Sequence, residues 1–75
     1  MPRLPLISGL VARKAFVRLG WEYRHSTGSH MILEKPGQEA TLSIPNHKEL
    51  GRGLLKALIR ASGSTEAEFL AALKK

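Results

Sequence analysis

The sequence predicts an α+β fold of two layers, with helices covering one face of a small antiparallel sheet. Three observations point there. The apolar period is helical at the start, changes to two in the middle, and returns to helical at the end. The middle segments are joined by short Ser/Thr/Gly and Pro/Gly stretches, which favour a meander of neighbouring strands. The 75 residues are close to the lower limit for a self-sufficient core, so all elements must share one and residues 1–75 form one domain.

Pro2, Pro5 and Ser8 mark an extended lead-in. Ser8 is placed to cap a first helix running to about Leu19, since its hydroxyl can accept from an orphan backbone N–H. Leu10, Val11, Ala15, Phe16 and Leu19 recur at helical spacing, and Arg13, Lys14 and Arg18 fall on the remaining face. Gly20 supplies a left-handed stop.

Trp21, Tyr23 and His25 then alternate with Glu22 and Arg24, the pattern of a strand. Ser26 to Ser29 reads as a turn, and a second strand follows from His30 to about Lys35. Pro36 to Glu39 turns the chain again, and Ala40 to Ile44 forms a third strand closed by Pro45. The loop Asn46 to Gly53 leads into a helix from about Leu54 to Ala61. Its apolar stripe is Leu54, Leu55, Leu58 and Ile59, with Lys56 and Arg60 facing away. Ser62-Gly63 ends it. Thr65 with Glu68 is a capping-box pattern for a short last helix, with Phe69, Leu70 and Leu73 on its apolar side and Lys74 and Lys75 near its negative end. This α-β-β-β-α order, plus the short C-terminal helix, matches the double-stranded-RNA-binding-domain fold. A fold alone does not assign a function.

Charge narrows the function classes. Twelve Lys and Arg stand against six Glu and no Asp, a net charge of +6 with a pI near 10.4. Such an excess attracts polyanions, of which nucleic acid is the commonest in a cell. No stretch approaches the ~20 apolar residues of a membrane span, and no helix pairs a wide apolar face with a dense basic one, so a membrane partner is not expected. The start MPRLPLISG does not read as a signal peptide. With no cysteine, a disulfide framework and a thiolate metal site are both excluded. A cytoplasmic location follows as the expectation.

Side chains alternate along a strand, so His30, Ile32 and Glu34 share one face, and Met31, Leu33 and Lys35 the other. The Glu34 carboxylate should avoid a helix-covered core. Met31 and Leu33 are therefore expected inward with Leu42 and Ile44, and His30 outward beside an exposed Ile32; Lys35, at the strand end, can snorkel. An outward imidazole can exchange a proton near neutral pH. Gly28 allows close approach of a substrate, and Ser29 offers a hydroxyl beside His30. Arg24, Lys48, Arg52 and Lys56 are candidates to hold phosphates. These are parts for cutting RNA without a metal: a base for a 2′-hydroxyl, and cations for the charge that develops on phosphorus. A lone exposed histidine is more commonly an ordinary polar surface residue than a catalyst, and on these residues alone that plainer reading is the favoured one.

Several segments taken together carry a resemblance. An early helix ends in LGW at Leu19 to Trp21, followed by GSH at Gly28 to His30 and IPNHKEL at Ile44 to Leu50. RGLLKALIRASG at Arg52 to Gly63 and TEAEFL at Thr65 to Leu70 complete the set. GSH alone is nonspecific. The ordered combination, spanning about Ser8 to Leu73, resembles the HicA family of toxins from prokaryotic toxin–antitoxin pairs. The resemblance implies a small double-stranded-RNA-binding-like domain that acts as an mRNA interferase, a metal-independent endoribonuclease with no cofactor. It implies that the histidine of the G-S-H motif, here His30, is catalytic, and that a HicB-like antitoxin binds the protein and blocks that site. In two places the chain departs from the family pattern: Leu54 stands where a threonine usually follows the helix-opening glycine, and Thr27 is uncharged where a basic or polar residue is common.

The remaining candidates have plainer readings. His47 also fits the family pattern, and hydrogen bonding to its own loop is favoured over a proton relay. His25 reads as a polar residue at the end of the first strand. Three histidines without Cys or Asp at ligand spacing make a weak metal site. Trp21 and Tyr23 are assigned to packing rather than base stacking. The alternatives to a nuclease are a non-catalytic RNA-binding module using shape and phosphate contacts, and a protein-interaction domain docking through the face around Ile32.

Overall fold

The computed structural model describes residues 4–75. Pro2, assigned above to the lead-in, lies outside them. The elements are α1 (Gly9–Arg18), β1 (Glu22–Thr27), β2 (His30–Glu34), β3 (Thr41–Pro45), α2 (Arg52–Ala61) and α3 (Glu66–Leu73). The strands form one antiparallel sheet in the order β1-β2-β3, and the helices pack on one face of it. The α-β-β-β-α order and the short last helix are as expected.

The core lies between the layers. Met31 and Leu33 of β2 and Leu42 and Ile44 of β3 point into it and meet Ala12, Ala15 and Phe16 of α1, Leu55, Leu58 and Ile59 of α2, and Phe69 and Ala72 of α3. Phe16 and Phe69 meet with ring centroids 4.9 Å apart at 49°, a tilted arrangement that suits the ring quadrupoles. Trp21 is fully buried, and Lys35 lays its chain across that ring, with Nζ 6.0 Å from the ring centre.

The caps follow their side-chain chemistry. Ser8 Oγ accepts from the Val11 N–H at 3.1 Å, and Gly20 takes φ +104° beyond α1. Thr65 Oγ1 accepts from the Glu68 N–H at 3.1 Å while Glu68 Oε1 accepts from the Thr65 N–H at 2.8 Å, which completes the capping box.

Four expectations change. Leu10 and Val11 are exposed at 41% each, and Gly9 and Ala12 are buried in their place. The rotation of α1 is set by a backbone contact: the Gly9 N–H donates to the His47 carbonyl at 2.9 Å, and a Cβ at position 9 would run into the Pro45 carbonyl oxygen. Only the glycine side of the helix can sit that close. Second, α2 begins at Arg52 rather than Leu54, capped by Gly51 without a side-chain hydrogen bond, and Leu54 is exposed rather than part of the buried stripe. Third, the lead-in is part of the core: Leu4 is buried, and the Leu50 N–H donates to the Ile7 carbonyl at 2.7 Å. Fourth, β1 extends through Thr27, so the turn is Gly28-Ser29 alone.

Candidate active site

The hairpin between β1 and β2 builds the site. Gly28 has φ +56° at the first central position of the two-residue turn, the place that type II′ geometry reserves for glycine. A Cβ there would meet no atom within 4 Å, so backbone conformation rather than crowding selects glycine, and the space above it is open. Ser29 follows, and His30 is the first residue of the central strand, paired with Thr27 on β1 and Pro45 on β3. Its neighbour Met31 is buried and fixes the strand against the helices. His30 is therefore held outward by a residue that cannot turn out, and its ring is exposed on the uncovered face. Ile32 on the same face is half-buried.

The loop after β3 closes against this turn. The Asn46 N–H donates to the Ser29 carbonyl at 2.6 Å, so the segment carrying His47 and Lys48 starts beside the G-S-H residues. His47 ties the loop to α1 through its backbone carbonyl, and its side chain is exposed.

Gly28, Ser29 and His30 thus come together with the start of the loop that leads on to Lys48, whereas the other basic candidates lie apart. Arg24 is on the same open face but at the opposite end of the hairpin, 3.6 Å from Glu22 and 3.6 Å from Glu34. Glu22 and Glu34 are direct cross-strand partners, so the guanidinium relieves two like charges facing each other. Arg52 Nε donates to the Leu4 carbonyl at 2.8 Å and fastens the lead-in. Lys56 is 3.8 Å from Glu66, between α2 and α3 on the helix side of the molecule.

One residue of this face escaped the alternation pattern. Between Tyr23, opposite Leu33, and His25, opposite Ile32, β1 carries a bulge in which Arg24 and His25 together face a single residue. The extra residue inverts the parity of the rest of the strand. Tyr23 and Ser26 consequently share the helix side, where their hydroxyls are 2.6 Å apart and Arg13 lies 4.5 Å above the Tyr23 ring. His25, expected to alternate with Arg24 alongside Trp21 and Tyr23, is brought to the open face. Nothing in local composition marks the bulge; it becomes legible only when β1 is paired with β2.

Against this geometry stands the comparison with known families. The family model for the HicA toxin of bacterial toxin–antitoxin matches residues 12–64, more than half of the chain. The chain belongs to the HicA toxin family. The matched segment runs from the first turns of α1 to the connection between α2 and α3, and so contains the whole sheet, the G-S-H turn and the loop bearing His47 and Lys48. No curated protein matches the chain. As a HicA-family member it is a toxin of toxin–antitoxin type, and among its described residues no helix is long and apolar enough to cross a membrane. Among those residues there is also no group of three or more His, Cys, Asp or Glu side chains placed to hold a metal ion.

Proposed function

We propose that this HicA-family toxin is an endoribonuclease, an mRNA interferase of the cytoplasm, with His30 as its catalytic residue. The observation that carries this reading is an imidazole fixed outward on an uncovered sheet face, at a glycine turn, in a family of toxins. Neutral His30 takes the proton of a ribose 2′-hydroxyl, and the oxygen attacks the adjacent phosphorus. Gly28 leaves room for the sugar-phosphate chain, and the Ser29 hydroxyl and Lys48 ammonium contact phosphate oxygens. Arg24 contributes from the far end of the same face, and its two carboxylate partners temper its charge. The net charge of +6 supplies sequence-independent attraction to RNA. Arg52 and Lys56, candidates by sequence, are engaged elsewhere in the fold, and their role toward RNA is reduced to that general field.

The partner of the toxin is a HicB-like antitoxin that covers the His30 face. The test is His30→Ala and His30→Gln. Because the ring is exposed, both variants should fold and bind the antitoxin, while RNA cleavage drops by about 10²–10⁴-fold and growth arrest is lost. A folded His30→Ala protein with undiminished toxicity rejects the catalytic role. RNA binding by the native chain without cleavage, across salt and pH, would instead favour a non-catalytic RNA-binding module.

A further inference from the structure

A base alone does not complete the cleavage. When the 2′-oxygen bonds to phosphorus, the bond from phosphorus to the 5′-oxygen breaks, and that oxygen must gain a proton to leave. The bulge at Arg24 brings a second imidazole to the face where this happens. His25 lies opposite Ile32, and His30 lies opposite Thr27, so the two histidines occupy diagonal corners of one four-residue patch on β1 and β2. Diagonal neighbours on one sheet face are roughly 7–8 Å apart. That spacing separates the two backbones and lies within reach of two imidazole side chains, so both rings can approach one phosphate; attack and departure in line place the base and the acid on opposite sides of phosphorus.

Resting on the nuclease reading above, the geometry points to His25 as the general acid of the reaction, with its imidazolium donating to the leaving 5′-oxygen. His30 ends the step protonated and His25 neutral; the products are a 2′,3′-cyclic phosphate and a 5′-hydroxyl, and exchange with water resets both rings. Other groups on the face serve less well. Arg24 does not give up a proton, and it is engaged by Glu22 and Glu34. Thr27, Thr41 and Ser43 offer only hydroxyls. His47 lies beyond the end of β3, in a loop whose backbone is bonded to α1. Both hairpin rings are exposed, so each is reachable by a polynucleotide.

The experiment uses the intact chain. A cleavage site is first mapped on an RNA transcript. An oligonucleotide spanning that site is then made twice, with the usual 5′-oxygen or with 5′-sulfur at the scissile bond. A thiolate leaves without help from an acid. His25→Ala and His25→Gln, checked for native circular dichroism, should lose about 10²–10⁴-fold on the oxygen substrate and recover most of that loss on the sulfur substrate. His30→Ala should remain inactive on both. Three results overturn the proposal while leaving the nuclease reading intact, provided His30→Ala is inactive. They are His25 variants close to native on the oxygen substrate, equal losses on both substrates, and a sulfur-rescued loss in His47→Ala instead. Cleavage of both substrates by His30→Ala, or no cleavage by the native chain, removes the nuclease reading and this inference together.

Discussion

Arg24 shows how one side chain can hold a locally unfavourable arrangement. Glu22 and Glu34 face each other across β1 and β2, and the bulged Arg24 reaches both. The groups are about half exposed, so each pair contributes only ~0.2–1 kcal/mol. Arg24→Ala should cost about 1 kcal/mol in total, read as a fall in Tm of roughly 4–8 °C for a domain of this size. The loss should shrink when Glu34 is already Gln. An equal loss in the two backgrounds would show that the guanidinium is not relieving the carboxylates. The outward direction of His30 was legible from sequence at this scale, because Met31 and Glu34 fix the parity of β2. The direction of His25 was not, because a bulge is a property of two strands and appears in neither one alone.

The elements differ in what anchors them. Helix α3 is short and relies on its capping box, in which both partners are local in sequence, so the pattern was readable in advance. Thr65→Ala should remove about 1 kcal/mol, with amide exchange in the first turn of α3 rising more than elsewhere. Uniform exchange across the chain would argue that the cap is not local to the helix. Helix α1 is anchored by backbone contact at Gly9, which the apolar stripe of Leu10 and Val11 concealed. Gly9→Ala gains helix propensity but forces a methyl group against the Pro45 carbonyl, so the net outcome is a loss of ~1–3 kcal/mol by overpacking. Chemical denaturation that finds Gly9→Ala more stable than native would overturn that account. The same contact supports the loop beside Ser29, so the variant should also weaken any activity at His30.

At the scale of the whole molecule the core is small. A chain of 75 residues at ~0.05–0.15 kcal/mol per residue has a stability of about 4–11 kcal/mol. Phe69 is fully buried against Phe16 and belongs to the short last helix, so its truncation opens the contact between α1 and α3. Phe69→Ala should lose ~3–5 kcal/mol, a large share of that total. Thermal unfolding should show a much lower midpoint or no cooperative transition, and near-native melting would mean that the α1–α3 contact is dispensable. The helices take all the covering of one sheet face, which leaves the other uncovered, and the exposed G-S-H turn lies at one end of it. At the far end of that face Glu22 and Glu34 outnumber Arg24, so the basic excess of the chain is not gathered there.

By itself the sequence determined the order of elements, the inward set of Met31, Leu33, Leu42 and Ile44, the caps at Ser8 and Thr65, the outward His30 and the likeness to HicA toxins. Each of these depends on period, on neighbours a few residues apart, or on an ordered set of motifs. Tertiary structure alone decided the rotation of α1, the burial of Leu4, the exposure of Leu54 and the arrival of His25 on the open face. Those depend on a backbone meeting another backbone, or on a strand that gains one residue against its partner, and such contacts join segments distant in the chain that no local pattern records.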